Sequence, residues 1–373
     1  MRNLLVFLVI LIGCGGQNAP YEEEFAEIFK YLMTDIKVVE GDWQGDFGDG
    51  SFYGQTELIA EGIKRKDPDL IRRGFATANF VISLIAEAKG DLGFFLDHSD
   101  DVMMGTLGLL ETYRVYDEVY AVLNSKEPPA KTAIKEAIVE SLSMCNEVIK
   151  GFEYYISIPL DVYGVYTYGN TVVTALFAMM NAEYLIAFGD DPAVNPAENL
   201  EQIIAAIDKN AYLSDKKAYR YKPGIEKLYL YPNIIMMIIY GRMYQHYKNP
   251  EYLEKSKELF EAIQPLKNPA HGGYRSPYSA ETMGAKTDDY STLSSQNYTT
   301  LALLLLYENT GDKKYIVEAG EVLGFITTHL KQEAQLLHHW MDGEIAKPEH
   351  LEYYCPGCNL QFLYVVRQYW RLC

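Results

Sequence analysis

Two kinds of hydrophobic pattern alternate along the chain. One kind is apolar on nearly every side and begins with a polar residue, and residues 97–116, DHSDDVMMGTLGLLETYRVY, are its clearest example. The other kind is amphipathic and carries a charged face. A helix that is apolar all round is buried, whereas a half-charged helix lies outside. The pattern therefore predicts inner helices that start near residues 49, 100, 170, 232, 296 and 358, and outer helices that start near residues 21, 68, 131, 197, 250 and 312.

The connection from an inner to an outer helix repeats along the sequence. Residues 64–82, 246–263 and 308–326 each place a short turn with Asp, Asn or Pro before a Tyr or Leu and an amphipathic helix. Twelve alternating helices with this turn resemble the (α/α)6 toroid of the six-hairpin glycosidases. The resemblance covers residues 21–373 and implies an all-α, (α/α)6 toroid of six helical hairpins in a single domain. An open helical solenoid has the same local pattern and is the alternative.

In such a toroid the inner helices run parallel, so the loops before their N-termini form one rim, the mouth. Helix N-termini favour anionic and polar groups, and the predicted mouth carries carboxylates, amides and aromatic rings. Because sugars stack on aromatic faces and form hydrogen bonds with carboxylates and amides, we expect a carbohydrate ligand. The predicted substrate-binding residues are Trp43, His98, Tyr168, Asn170, Asn233, Asn297, Trp340 and Asn359.

Adjacent aspartates at the start of one inner helix are the leading catalytic candidates. Glycoside hydrolysis needs two carboxyl groups that flank the scissile bond, and Asp100 and Asp101 supply such a pair, with Asp46 and Asp49 as alternative partners. Here the sequence is similar to glycoside hydrolase family 76, the endo-α-1,6-mannanases, which carry adjacent catalytic aspartates. The resemblance implies that Asp100 and Asp101 are the nucleophile and the acid/base. Residues 102–104 (Val-Met-Met) depart from it, because that family is rich in Trp there.

Each of these four aspartates also has a structural interpretation. Asp100 fits an N-cap, and Asp101 then only complements the helix dipole. Asp46 and Asp49 lie in the sequence DFGDG, which is typical of a tight turn within a loop over residues 41–54.

The N-terminus has the pattern of a targeting segment. A short basic start precedes the apolar residues 4–12, which are too few to span a bilayer. The following Leu-Ile-Gly-Cys at residues 11–14 resembles the bacterial lipobox. It predicts a signal peptide over residues 1–13, an acylated Cys14 and a tether over residues 14–20. We therefore expect a protein of the bacterial cell envelope, periplasmic or at the cell surface, that is anchored to the membrane through the lipid on Cys14.

Charge and cysteine content exclude other classes. The formal net charge is -18 and the pI is about 4.9, which argues against a nucleic-acid partner because phosphate binding depends on basic patches. Cys355 and Cys358 form a C-x-x-C with no second pair and no His in metal spacing. This favours a local disulfide or two buried thiols over a zinc site. We expect neither a metal nor another cofactor.

These observations favour a lipid-anchored protein that acts on a glycan as a glycoside hydrolase with paired carboxylates. Two alternatives stay open. One is a non-catalytic glycan-binding or scaffold protein of the same fold, whose cavity we expect to be filled by side chains. The other is a sugar isomerase or epimerase that uses His98 or the histidine pair at residues 338–339, because relatives with this toroid include epimerases that use histidines.

Overall fold

The computed structural model describes residues 19–34, 47–91, 95, 99–123, 130–156, 170–276, 290–332, 335–336, 339–341 and 355–373. This part of the chain forms twelve α-helices and six short strands. The helices are α1 Glu22–Thr34, α2 Phe47–Arg65, α3 Pro68–Ala88, α4 Ser99–Leu123, α5 Lys131–Gly151, α6 Asn170–Phe188, α7 Pro196–Ala211, α8 Leu230–Tyr247, α9 Pro250–Ile263, α10 Leu293–Thr310, α11 Lys313–Phe325 and α12 Pro356–Leu372. The strands form three antiparallel pairs, namely β1 Tyr212–Leu213 with β2 Ala218–Tyr219, β3 Tyr290–Thr292 with β6 His339–Met341, and β4 Lys331–Gln332 with β5 Gln335–Leu336.

The even-numbered helices form a closed inner ring. Each contacts the next even-numbered helix along the chain, and α12 contacts α2. The odd-numbered helices pack outside this ring, each against one or two inner helices. The predicted (α/α)6 toroid is confirmed, and the contact between α12 and α2 distinguishes it from an open solenoid.

The two faces of the toroid differ in the length of their connections. Connections from an inner to an outer helix contain two to seven residues, whereas those from an outer to an inner helix contain ten to thirty. We call the first the short-turn face and the second the mouth face. On the short-turn face, Asp67, Asn249 and Asp312 each accept a backbone hydrogen bond at the start of an outer helix. These N-caps explain the repeated turn in the sequence.

Two helices differ from what their sequences suggest. Helix α2 begins at Phe47, so Asp49 lies in its first turn and the loop predicted over residues 41–54 is wrong from residue 47 onward. Burial of Phe52 and Tyr53 in the core outweighs the low helix propensity of the neighbouring glycines. In α6, Thr171–Phe188 is long and apolar enough to cross a membrane, but 78% of it is buried within the toroid, as in the core helix of a globular protein.

Three inner helices hold the preceding connection by the same contact, which we call the amide clamp. The side-chain amides of Asn233, Gln296 and Asn359 each accept from the N–H and donate to the C=O of a single residue, over distances of 2.7 to 3.1 Å. Successive clamp residues are 63 positions apart, and Asn170, the first residue of α6, lies 63 positions before Asn233. The clamped residues are Tyr219, Tyr274 and Leu336.

Two of the clamped residues are also held by an outer helix. The Tyr219 hydroxyl donates to Asp208 of α7 at 2.5 Å, and the Tyr274 hydroxyl donates to Glu318 of α11. The inner ring thus fixes the backbone of these residues while the outer ring fixes their side chains. Both connections are thereby anchored between the two layers of the toroid.

We expect Asn233→Ala to lower the free energy of unfolding by about 2–4 kcal/mol, because it leaves the buried N–H and C=O of Tyr219 without their partner. Urea denaturation followed by circular dichroism measures this. Asn210→Ala is the matched control, since the Asn210 amide only donates to the Ala206 carbonyl within α7. Its expected cost is below about 1 kcal/mol, and equal losses in the two variants would contradict a special role for the clamp.

Candidate functional site

A contact between two opposite inner helices closes the ring below the mouth. Tyr298 of α10 places its hydroxyl 3.8 Å from the Met104 sulfur of α4. Both side chains are buried. Helices α4 and α10 are separated by two other helices in either direction around the ring, so this contact spans the axis. We call Tyr298 and Met104 the floor of the mouth.

Asp101 lies on α4 directly above this floor. It precedes Met104 by three residues, which is a rise of about 4.5 Å along the helix, and residues at this spacing lie on the same face. The residue is only 7% exposed. Asp101 is therefore a buried carboxyl group in the first turn of an inner helix, on the mouth side of the floor.

The other three predicted catalytic aspartates are placed only in part. Asp100 lies beside Asp101 in the first turn of α4, and Asp49 lies in the first turn of α2. Because α2 and α4 are neighbours in the ring, both positions are on the mouth face. Asp46 lies outside the described residues.

Tyrosines that are not among the predicted substrate-binding residues form an aromatic wall beside the floor. The rings of Tyr221 and Tyr229 lie 5.7 Å apart in a small cluster separate from the main core. Tyr231 packs on this cluster and meets the Tyr298 ring edge-on at 5.5 Å. Its hydroxyl lies 3.4 Å from the Ser294 hydroxyl. Tyr231 and Ser294 are half-buried, so the wall offers both an aromatic ring and hydroxyl groups to a ligand above the floor.

The predicted substrate-binding amides with described side chains have other partners. Asn233 and Asn359 form amide clamps, and the Asn297 amide donates to the Cys358 carbonyl at 3.0 Å and to Gln361 at 3.2 Å. All three are buried, at most 2% exposed. An amide at a buried helix start is needed first by the backbone of the adjoining segment. Substrate binding by these three residues stays a prediction.

The remaining predictions fall on backbone positions or outside the described residues. Asn170 begins α6, and in the β3–β6 ladder Trp340 pairs with Ser291 while His339 pairs with Thr292. Since β3 leads directly into α10, this ladder brings the segment of Trp340 and His339 to the mouth face. The predicted residues that lie outside the described part of the chain are Cys14, Trp43, His98, Tyr168 and His338.

Below the floor, the inner helices line a partly open cavity of about 80 Å³. All six inner helices line it. Its walls are mostly apolar, and charged side chains surround it toward the short-turn face. Representative lining residues are Leu107, Met179, Ile238, Leu305, Tyr364 and Gln368.

Glu183 of α6 is the central carboxylate among these charged groups. Arg114 of α4 reaches it at 2.9 Å and Arg242 of α8 at 2.7 Å. Burial by itself would raise the pKa of Glu183, but the two guanidinium groups lower it below its ordinary value. Glu183 therefore stays ionised and ties three consecutive inner helices together.

Similar contacts continue around the ring. Arg367 of α12 reaches Glu57 of α2 at 2.8 Å, and Arg371 of α12 reaches Glu308 of α10 at 3.0 Å. Gln245 of α8 donates to the same Glu308 at 3.0 Å. Together with the Glu183 pairs, these contacts form what we call the charged belt. Because its carboxylates are bound to guanidinium or amide groups, the belt joins helices rather than offering a catalytic pair.

The C-x-x-C motif is a local disulfide at the start of α12. Cys355 and Cys358 are bonded to each other, which is one of the two arrangements that their spacing favoured. Both sulfurs are thereby used, so the motif supplies no zinc ligands. Within the described ranges, no group of three or more His, Cys, Asp or Glu side chains is placed to hold a metal ion.

We expect Glu183→Gln to lower the free energy of unfolding by about 2–4 kcal/mol at pH 7, because two partly buried guanidinium groups lose their shared carboxylate. The folded-state pKa of Glu183 is depressed, so its stabilisation is complete above the ordinary carboxyl pKa and is lost as the pH falls through the folded-state value. The difference between wild type and variant, measured by urea denaturation, should therefore shrink below about pH 4.

The matched control for this experiment is Glu258→Gln. Glu258 forms an exposed pair with Lys217 at 2.9 Å, and exposed pairs contribute at most about 1 kcal/mol. A Glu183→Gln deficit that stays constant from pH 7 to about pH 3 would show that the carboxylate charge is not what stabilises the fold.

Comparisons with known proteins identify the fold. No protein-family model and no curated protein matches this chain. Solved structures match it over nearly their full length. An α-mannanase of glycoside hydrolase family 76 from Bacteroides thetaiotaomicron is 12% identical, with a TM-score of 0.59 over 96% of this chain and 98% of that chain.

Two other similar structures are those of enzymes with different activities. An unsaturated glucuronyl hydrolase specific for heparin is 11% identical, with a TM-score of 0.60 over 93% of this chain and 94% of that chain. A sugar epimerase from a ruminal bacterium is 12% identical, with a TM-score of 0.56 over 92% of this chain and 98% of that chain. The chain therefore has the same (α/α)6 toroid fold as these structures, and at this identity the likeness concerns the fold alone.

Proposed function

We propose that this protein is a lipid-anchored enzyme of the bacterial cell envelope that hydrolyses a glycosidic bond at its mouth. The observation that carries the proposal is the buried carboxyl of Asp101, one turn above the Tyr298–Met104 floor of a closed helical ring. The fold supports it, since similar structures include a mannanase and a glucuronyl hydrolase. Fold by itself does not set activity, so the argument depends on the site.

In this mechanism, two carboxyl groups flank the bond to be cleaved. One protonates the glycosidic oxygen, while the other attacks the sugar or activates a water molecule. We assign these roles to Asp101 and Asp100. Asp49 is the alternative second carboxylate, because it starts the neighbouring inner helix on the same face.

The aromatic wall is the proposed sugar-binding surface. Tyr231 is half-buried and borders the floor through Tyr298, so one part of its ring is held by protein while another part faces the mouth. The nearby Ser294 hydroxyl is a hydrogen-bond partner for sugar hydroxyl groups. The wall therefore supplies the stacking and polar contacts that a carbohydrate needs.

We expect Asp101→Asn to lower the hydrolysis of a responsive glycan by about 10²–10⁴-fold, because the amide cannot transfer the proton or act as a nucleophile. Asp100→Asn and Asp49→Asn identify the second carboxylate by the same loss. A panel of purified glycans, read by chromatography of the products, measures this. Asp117→Asn is the control, since Asp117 is exposed on the same helix and pairs only with Lys131. Unchanged hydrolysis by Asp101→Asn would overturn the assignment.

A non-catalytic carbohydrate-binding protein is the second candidate. The observation that favours it is the filled ring at the level of Tyr298 and Met104, which leaves the site shallow. In that case wild-type protein binds a glycan of the panel without releasing product. Tyr231→Ala then weakens binding in isothermal titration calorimetry, while Asp101→Asn binds as the wild type does.

A further inference from the structure

The chain enters the toroid on the short-turn face. The Trp370 indole N–H donates to the Pro20 carbonyl at 2.6 Å, and the Tyr21 hydroxyl donates to the Gly320 carbonyl at 2.8 Å. The Phe25 ring lies 5.0 Å from the Trp370 ring. Helix α12 starts on the mouth face and ends at Leu372, so Trp370 belongs to its far end. These contacts fix Pro20 at the face opposite to the mouth.

The predicted anchor is only a few residues ahead of this point. Cys14 precedes Ala19 by five residues, which span at most about 18 Å when fully extended. Helix α10 has 18 residues and is therefore about 27 Å long from one face of the ring to the other. A lipid on Cys14 can thus reach a membrane at the short-turn face, whereas the mouth face is beyond its reach.

The surface beside Pro20 also has side chains suited to lipid headgroups. Lys64, Arg65 and Lys66 are exposed at the end of α2, and the Lys64 ammonium lies 5.6 Å from the centre of the Trp370 ring. Indole rings favour the membrane interface, and cationic side chains favour anionic headgroups. These basic and aromatic side chains lie beside the exposed Glu22 and Glu23 at the start of α1, so the charge of this surface is mixed on a chain whose formal net charge is -18.

We propose that the short-turn face around Trp370 rests on the membrane that holds the Cys14 lipid, so that the mouth opens away from that membrane. The proposal depends on the lipid anchor in the proposed function. It goes beyond that function by fixing the direction from which a substrate approaches. A large glycan then reaches Asp101 from the aqueous side, without passing between the protein and the lipid surface.

Fluorescence quenching on vesicles tests the orientation. The full-length acylated protein is placed on vesicles of phosphatidylethanolamine and phosphatidylglycerol that carry a headgroup nitroxide. A fluorophore on Cys373, the exposed cysteine after α12 that is not part of a disulfide, reports the short-turn face. Cys145 does not compete for the label, because burial raises the pKa of its thiol to about 12.

The matched label for the mouth face uses Cys373→Ser together with Lys222→Cys, an exposed position in the connection before α8. We expect the Cys373 label to lose most of its fluorescence, and the label at position 222 to keep most of it. Equal quenching, or stronger quenching at position 222, would overturn the proposed orientation. Lys64→Glu combined with Lys66→Glu should weaken the quenching at Cys373, whereas Lys222→Glu should not.

Separate readouts distinguish this proposal from the ones it depends on. Intact-protein mass and vesicle flotation, with Cys14→Ala as the control, report acylation. A chain without acyl groups would overturn both the anchor and the orientation. An acylated chain that floats but shows equal quenching would overturn the orientation alone. Hydrolysis of glycans by the same sample reports the catalytic assignment independently of both results.

Discussion

The constraint that shapes this molecule is the burial of whole helix starts inside a closed ring. When an apolar helix begins in the interior, the backbone of the segment leading to it is also withdrawn from water, and its N–H and C=O groups must find partners. The amide clamps of Asn233, Gln296 and Asn359 provide those partners. The backbone groups of Tyr219, Tyr274 and Leu336 are therefore paired where their connections lead to the mouth face.

Different kinds of interaction stabilise the two ends of the ring. At the mouth, neutral amides and hydroxyls hold the segments that border the site. Toward the short-turn face, the charged belt joins consecutive inner helices, and a neutral hydrogen bond from Thr112 to Gln55 joins α4 to α2. These two helices are packed closely at Gly108, where a Cβ atom would lie 2.1 Å from the Gln55 side chain. The Tyr298–Met104 floor lies between the two environments.

Periodicity predicted the helices well because inner helices are buried on nearly every side, whereas outer helices are buried on one side. This difference is visible in the sequence as apolar residues all round the helix or on one face only. Periodicity placed a helix start near residue 49, close to the observed Phe47. The loop predicted from the glycines was wrong at residues 47–54, because burial of Phe52 and Tyr53 favours a helix. The starts of the inner helices were predicted to within three residues. The sequence does not distinguish an amide that binds a ligand from an amide that binds the backbone. The floor could not be predicted, because the contact between Tyr298 and Met104 depends on the diameter of the ring rather than on any spacing along the chain.

The contact between Trp370 and Pro20 has a consequence for how the toroid could be rearranged. It brings the two ends of the described fold together, so a short peptide linking them would complete the circle of twelve helices covalently. New ends could then be opened in one of the two-residue turns, such as residues 248–249 or 311–312, which interrupt no amide clamp. These two turns are also 63 positions apart, so a circular permutation at either one would keep each outer helix together with the inner helix that follows it.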